Sequence, residues 1–145
     1  MDFDLSICIR RLPMEVFIFL RDKDKYPQDP SSPVVILEQT TPGPVGVGTR
    51  YREVIQMLPF VRGEILSVIT HFEPGKRLEE DFEGAGMIGH LAYEFSPEDG
   101  GTRLIQRELV RTRGFTRLLE PFMKRMLSRQ LWKRLETIKA VLESG

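Results

Sequence analysis

The stretch GPVGVGTRYREV, residues Gly43–Val54, decides the fold class because its three glycines allow two opposite interpretations. A phosphate-binding glycine loop lies between a strand and the first turn of a helix, whose backbone amides hold the phosphate. Here the glycines lead into TRYREVIQML, which is rich in β-forming residues and has no helical period, and no Gly-Lys-Ser/Thr follows them. We therefore expect Gly43, Gly46 and Gly48 to form a turn with positive φ and a bulged start of a strand, not a nucleotide site.

Six segments with the composition of β-strands follow one another between Val34 and Thr112. Most of them are separated by short runs of proline and glycine or by Asp-Gly. Connections this short join antiparallel strands. The segments are VVILEQTT, GTRYREVIQML, VRGEILSVITHFEP, KRLEEDFEGA, MIGHLAYEFSP and TRLIQRELVRT.

A further strand and a short helix precede these segments. The alternation of apolar and polar residues in FDLSICIRR predicts a half-buried first strand. Pro13 suits the first turn of a helix, and PMEVFIFLRD continues with apolar residues at helical spacing. Between Lys23 and Pro33, three prolines and no periodicity predict a loop with at most one short helical turn.

The chain closes with a long helix, predicted from Phe115 to Leu142. One apolar row advances mostly by four residues and winds around the axis, as in a helix that wraps a curved surface. A second row makes the first half apolar over a wider arc than plain docking requires. Either large Phe and Met side chains fill the space between helix and sheet, or that space is a cavity. The rows are Leu119, Met123, Leu127, Leu131, Leu135, Ile138 and Leu142, and Phe115, Leu118, Phe122 and Met126.

Composition excludes several classes of protein. The 145 residues are 41% hydrophobic and carry no net charge, as is ordinary for one globular domain. Together with the order of the predicted elements, this predicts one α+β domain over residues 1–145. No apolar run could span a membrane, and the N-terminus lacks the layout of a secretory signal. The single Cys8, which we interpret as a packing residue, excludes an internal disulfide and indicates a reducing compartment. We therefore expect a cytoplasmic protein.

Charge is unevenly distributed along the chain. Residues 111–145 hold nine Lys and Arg against three Glu, a net charge of +6 that the first 110 residues balance. This excess is typical of the solvated face of a helix, and it also suits contact with anionic lipid. The basic residues are not interleaved with exposed aromatics, so we expect no nucleic-acid partner.

The order of these elements resembles the SRPBCC superfamily, the START-like or helix-grip fold, and within it the polyketide cyclase/dehydratase-like branch. The resemblance covers essentially the whole chain. It implies a strongly curved seven-stranded antiparallel sheet wrapped around a long C-terminal helix, with short helices between strands 1 and 2. Members hold lipids, sterols, polyketides or other apolar molecules in a cavity between sheet and helix, and some are enzymes. The segments that carry the resemblance are RRLPMEVFIFLRD, GVGTRYRE, THFEPGKRLE, YEFSPEDGGTRL and LLEPFMKRMLSRQLWKRLETIKAVLE.

One segment departs from the family pattern. Many relatives have a Trp in the loop after the first helix, where this chain has Tyr26-Pro27-Gln28. We therefore expect a cavity entrance of different shape.

The resemblance implies that Tyr51, Tyr93 and Phe95 face the cavity, and the two-residue period of a strand extends the lining from them. A single bulge would reverse any of these orientations. The predicted ligand-binding residues are Tyr51, Ile55, Met57, Phe82, Leu91, Tyr93, Gln106, Phe115, Leu119, Phe122 and Met126.

Four titratable residues are candidates for catalysis, namely Glu53, Glu80, Glu108 and His71. Carboxyls in a dry pocket can supply an acid and a base. The alternative is that the three glutamates lie in solvent near strand ends or pair with arginines, because buried unpaired carboxylates are expensive. His90 falls on the outward parity, so we expect it on the surface. No spacing of metal ligands is present, and we expect neither a metal nor a cofactor.

Three functional hypotheses follow. The first is binding of a hydrophobic small molecule or lipid between sheet and helix, and the alternative is a cyclase/dehydratase-type enzyme acting on a polyketide-like or aromatic substrate in the same cavity. The third is transient contact with an anionic membrane through the basic C-terminal helix. The oligomeric state stays open.

Overall fold

The computed structural model describes residues 1–25 and 32–145. The prediction made for Tyr26-Pro27-Gln28 lies outside these residues. The elements are β1 (Asp2–Ile9), α1 (Pro13–Arg21), a 3₁₀ turn (Lys23–Lys25), β2 (Val34–Gln39), β3 (Arg50–Leu58), β4 (Val61–Glu73), β5 (Arg77–Gly84), β6 (Met87–Glu98), β7 (Gly101–Thr112), a 3₁₀ segment (Gly114–Leu119) and α2 (Glu120–Glu143).

The seven strands form one antiparallel sheet in the order β1-β7-β6-β5-β4-β3-β2. Each neighbour along the chain from β2 to β7 is also a neighbour in the sheet, as hairpin connections require. Strand β1 pairs with β7, so the first and the last strand along the chain are neighbours in the sheet. The predicted α+β architecture is confirmed.

The glycine stretch that precedes β3 forms a turn and no helix follows it. Gly43 and Gly48 have φ of 92° and 90°, the left-handed region that favours glycine. The amide of Gly48 donates to the carbonyl of Ile69 at 2.8 Å, which ties the turn to β4. The bulge predicted at the glycines is not found there, and the register shifts of β2 to β5 lie at Val34/Ile36, Gln56/Leu58 and Ile69/His71.

Helix α1 covers one end of the inner face of the sheet. Its Val16, Phe17 and Leu20 are buried, as their helical spacing predicts. The ring of Phe17 meets the rings of Phe72 and Phe95 edge to face, at centroid distances of 5.2 and 5.3 Å. Such aromatic contacts add to the burial energy and fix the position of the helix.

Helix α2 is attached to the sheet by its C-terminal half. The buried residues of α2 are Leu135 and Ile138. Near them, Lys139 Nζ donates to the carbonyl of Cys8 at 2.6 Å, and the amide of Arg10 donates to Glu143 Oε1 at 2.9 Å. The half that precedes Leu135 packs less closely and leaves its apolar row half exposed.

The start of α2 differs from the sequence prediction. The prediction began the helix at Phe115, whereas the α-helix begins at Glu120 and a 3₁₀ segment precedes it. Pro121 explains the difference, because it has no amide hydrogen and cannot donate to the preceding turn. At the first helical positions this loss is tolerated.

Two further findings concern Cys8 and membrane spanning. Cys8 is exposed on the outer face of β1, so its interpretation as a packing residue was wrong. The reason is the alternation itself, which turns Leu5 and Ile9 inward and Cys8 outward. Among the described residues, no helix is both long and apolar enough to cross a membrane.

Gly89 provides a test of the register. Its strand position lies opposite Phe82, and a Cβ added there would collide with the Phe82 ring and the Leu109 carbonyl. We expect Gly89→Ala to lower the free energy of unfolding by about 2–3 kcal/mol, measured by urea unfolding. Gly46→Ala is the control, since nothing lies within 4 Å of its added Cβ. Equal stability of the two variants would contradict the register.

Candidate functional site

The register places the predicted lining residues of the strands on the face that α2 covers. Tyr51 pairs with Ser67, and Glu53 pairs with Ile65, on the inner side of β3 and β4. On the same inner side, Leu91 of β6 pairs with Glu80 of β5 and with Glu108 of β7. The inner face is therefore apolar with a few carboxylates in it, and these come from three different strands.

Arg134 reaches into this face from α2. Its Nη1 donates to the hydroxyl of Tyr93 at 2.8 Å, and its guanidinium carbon lies 5.9 Å from the centre of the Tyr93 ring. Burial raises the pKa of Tyr93 to about 12, although the charge of Arg134 opposes this shift. The Tyr93 hydroxyl is therefore neutral near pH 7 and can both accept and donate a hydrogen bond.

Glu80 is held in an ion pair. Lys23 Nζ lies 2.9 Å from Glu80 Oε2, and both side chains are more than four-fifths buried. The same ammonium lies 4.4 Å from the centre of the Tyr51 ring. Beside these groups and Arg134 lies a pocket of about 10 Å³, which has room for a single water molecule.

Glu53 and Glu108 have no such partner. Within residues 1–25 and 32–145, no side chain forms an ion pair or hydrogen bond with either carboxyl group. Burial raises the pKa of both, and that of Glu108 reaches about 7, although Arg134 acts to lower it. Glu53 and Glu80 raise the pKa of Glu108 further. Near neutral pH, Glu108 can thus be either an acid or a base.

Gln106 is a third polar group of the inner face for which the described residues supply no partner. The side chain is fully buried, and neither atom of its amide finds a hydrogen bond among the described residues. Gln106 pairs with Tyr93 across β6 and β7 and with Leu5 across β1. An unsatisfied buried amide costs free energy unless water or a ligand bonds to it.

The apolar candidates divide into two groups. Tyr51, Leu91 and Tyr93 are buried on the inner face, and Ile55 and Phe82 are half-buried there. The candidates in the 3₁₀ segment and at the start of α2, together with Met57, are exposed at one end of the molecule. The exposed fractions are 42% for Met57, 79% for Phe115, 45% for Leu119, 80% for Phe122 and 50% for Met126.

The structure does not place His71 in the cavity. The bulge after Ile69 shifts the register of β4, so that His71 pairs with Glu79 on the outer face. The ring lies 3.4 Å from Glu73, and the side chain is 46% exposed. The candidacy of His71 as an acid or base at the cavity rim was therefore wrong, because the bulge turns its side chain to the outer face.

His90 lies on the outer face, where its parity placed it. Its ring nitrogens lie 2.5 Å from Asp81 Oδ1 and 2.7 Å from Glu79 Oε1. Burial acts to lower the pKa of His90, but the two carboxylates outweigh burial and raise it. No group of three potential metal ligands occurs in the part of the chain that the structure describes.

Sequence reasoning missed Arg134 and Lys23. For Arg134 a signal was present, because it lies three residues after Leu131 and one before Leu135, on the apolar side of the helix. For Lys23 the sequence carries none, since its partner Glu80 is 57 residues away and on another element.

Glu108 generates a prediction on pH. Its ordinary pKa is 4.5 and the folded value is about 7, so folding favours the neutral form. The stability of the natural protein should therefore fall as pH rises from about 4.5 to 7, by roughly 1–3 kcal/mol. The Glu108→Gln variant should not show this decline in stability, because glutamine does not titrate. We expect the difference in Tm between variant and natural protein to grow across this window and to level off above it. A difference independent of pH would contradict the burial of Glu108.

Comparisons with known proteins agree with this architecture. The crystal structure of TTHA0849 from Thermus thermophilus matches with a TM-score of 0.80 and 18% identity, covering 99% of this chain and 98% of that one. The crystal structure of Ara h 8.0201 matches with a TM-score of 0.78 and 14% identity, covering 100% and 99%. The di-domain ARO/CYC StfQ from the steffimycin biosynthetic pathway matches with a TM-score of 0.80 and 17% identity, covering 99% of this chain and 50% of StfQ.

At these identities the solved structures show the fold alone, and the predicted helix-grip fold is confirmed. A search of curated protein sequences found no match. The model of one sequence family, described as polyketide cyclase / dehydrase and lipid transport, matches residues 1–143. The chain therefore belongs to the polyketide cyclase / dehydrase and lipid transport family.

Proposed function

We propose that the protein binds a hydrophobic small molecule or lipid between the inner face of the sheet and the first half of α2. One observation carries this proposal. The helix is anchored by Leu135, Ile138 and the bonds that follow them, while Met123, Leu127 and Leu131 are only half-buried against a sheet face that is itself apolar. A ligand in this cleft would bury both surfaces.

The energetics favour an apolar ligand. Burial stabilises a complex by roughly 25 cal/mol per Å² of apolar surface, on the ligand and on the protein alike. The pocket beside Lys23, Glu80 and Arg134 has room for about one water, so only a small polar end of the ligand would enter it, and the apolar body would lie toward the half-buried Ile55 and Phe82. A mostly apolar site with few polar groups is typical of small-molecule binding.

A cyclase/dehydratase-type enzyme is the second candidate, and the pairing of Arg134 with Tyr93 favours it. The two groups could hold a carbonyl oxygen of the substrate and stabilise the charge that develops on it, while Glu108 removes a proton from the neighbouring carbon. Mass spectrometry of a ligand recovered after incubation separates the two candidates. A changed ligand mass that requires Glu108 would indicate an enzyme.

Filling the cleft tests ligand binding. We expect Ile55→Trp, on the inner face of β3, to weaken binding of the uncharged dye Nile red by roughly tenfold or more, because the indole occupies the apolar space. Fluorescence titration measures the Kd, and circular dichroism checks the fold.

Leu66→Trp is the matched control, since Leu66 lies on the neighbouring strand but on the outer face and is 48% exposed. This variant should bind the dye as the natural protein does. Equal loss in both variants, or no loss in either, would place the dye outside the cleft and contradict the proposal.

We further propose that one end of the molecule contacts anionic membranes. We name it the apolar end and define it as residues 57–61 and 115–126. The amide of Arg113 and the hydroxyl of Thr116 donate to the carbonyl of Gly86, and Gly63 lies against Ala85, so both segments meet at the β5–β6 turn. Phe60 is fully exposed, and Leu118 is 77% exposed.

Basic side chains surround the apolar end. Six exposed Lys and Arg lie between residues 111 and 129, against the single Glu120. None of the six forms an ion pair with any described residue. An amphipathic surface with exposed Phe and Leu and free cations suits the interface of an anionic bilayer. The membrane contact predicted for the basic C-terminal helix would thus involve the start of α2 and the turn between β3 and β4. The six are Arg111, Arg113, Arg117, Lys124, Arg125 and Arg129.

Vesicle sedimentation tests this contact. With vesicles of phosphatidylcholine containing about one part in three of phosphatidylserine, we expect Arg117→Gln with Lys124→Gln to lower the partition coefficient roughly tenfold or more. Phe60→Ser with Leu118→Ser should lower it as well, because these side chains would lose their place among the lipid chains.

Matched controls come from the opposite end of the sheet. Arg50→Gln with Lys76→Gln removes two exposed cations there, and Val47→Ser removes a side chain that is 69% exposed. These controls should leave partitioning unchanged. Equal losses in the controls would mean unspecific adsorption, and a dimer in solution that Phe60→Ser dissociates would assign the apolar end to self-association.

We also propose that residues 1–145 form one domain, because β1 pairs with β7 and closes a single sheet. Cytoplasmic location stays a prediction that rests on the lone Cys8.

A further inference from the structure

The inner face carries more carboxylates than cations. Glu53, Glu80 and Glu108 face it from three strands, whereas the cations that act on them are Lys23 and Arg134. Lys23 and Glu80 neutralise each other in their ion pair. Two carboxyl groups therefore share the one remaining cation, and within the described residues neither forms an ion pair with it.

The hydrogen-bond donors of Arg134 and Tyr93 are also only partly used. Arg134 has five N–H donors, and its hydrogen bond to Tyr93 uses one of the two on Nη1. The hydroxyl of Tyr93 accepts that bond and keeps its own hydrogen for another acceptor. Donors on Arg134 and Tyr93 and acceptors on Glu53 and Glu108 thus lie on the same inner face of the sheet. In the described part of the chain, no side chain forms hydrogen bonds both with these unused donors and with the carboxyl oxygens of Glu53 and Glu108.

We infer that the cleft selects an apolar ligand whose polar end is a hydroxyl group over the same ligand ending in a carboxylate. The hydroxyl oxygen would accept a hydrogen bond from Arg134 or Tyr93, and its hydrogen would be donated to Glu53 or Glu108. A hydroxyl is both donor and acceptor and carries no charge, so it satisfies both the donors and the acceptors without adding to the charge of the site. This inference rests on the proposed ligand binding.

The two charged alternatives are disfavoured for opposite reasons. A carboxylate would bring a further anion next to Glu53 and Glu108, and like charges in a partly desolvated site repel strongly. An ammonium group would suit these carboxyls, but it could not accept a hydrogen bond and would be repelled by Arg134. The titratable groups that face Glu108 are Glu53, Glu80, Tyr93 and Arg134.

The experiment compares three ligands with the same alkyl chain. Decanol, decanoic acid and decylamine are titrated into the protein at a pH above 8, where Glu108 is ionised, and displacement of Nile red gives each Kd. We expect decanol to bind roughly tenfold or more tightly than decanoic acid, and more tightly than decylamine. Acid binding as tight as that of the alcohol, or tighter binding of the amine, would overturn the inference while the proposed function stands. If none of the three displaces a bound dye, the proposed function fails and the inference with it.

Variants locate the source of the selectivity. Glu53→Gln with Glu108→Gln keeps acceptor oxygens but removes both charges, so the ratio of the two Kd values should fall toward one. Glu83→Gln is the matched control, because Glu83 is an exposed carboxylate on the outer face of β5. It should keep the ratio of the natural protein. A ratio that is unchanged in the double variant would show that these carboxyl groups do not select the ligand, and would overturn the inference.

Discussion

The attachment of α2 by its C-terminal half is the constraint on which the rest of the structure depends. Leu135 and Ile138 are buried, and the backbone of Cys8 and Arg10 bonds to side chains further along the same helix. Pro121 at the helix start breaks the continuity with the 3₁₀ segment before it. Because one end holds the helix, the other can stand away from a curved sheet. The half-buried apolar row of the first half of α2 and the exposed apolar end both follow from this arrangement.

On the inner face of the sheet, the buried carboxyl groups are only partly compensated by cations. The ion pair of Lys23 with Glu80 satisfies one carboxylate, and two others remain whose ionised forms burial disfavours. Apolar residues at Glu53 and Glu108 would avoid this cost. Titratable groups with such perturbed pKa values cluster at functional sites. The polar part of the inner face is therefore the part of the molecule on which the proposed site rests.

Local patterns predicted most of the fold. The strands from Val34 to Thr112 were recognised because two-residue alternation and turn residues act over a few neighbouring positions. The predictions were wrong where a single local irregularity changed the direction of a side chain or the start of a helix. The bulge after Ile69 moved His71 to the outer face, and Pro121 delayed the α-helix to Glu120. Neither the bulge nor the later helix start alters the apolar periodicity of the surrounding sequence, so periodicity alone could not reveal them.

The amino-acid sequence by itself determined the antiparallel order of β2 to β7 and the parity of most strand residues, because hairpin length and alternation are properties of short windows. Only the tertiary structure decided which polar groups meet. Arg134 and Tyr93 are 41 residues apart, and Lys23 and Glu80 are 57 apart. Such pairings depend on the curvature of the sheet and on the angle at which α2 docks. These are set by packing among distant segments, and no local stretch of sequence encodes them.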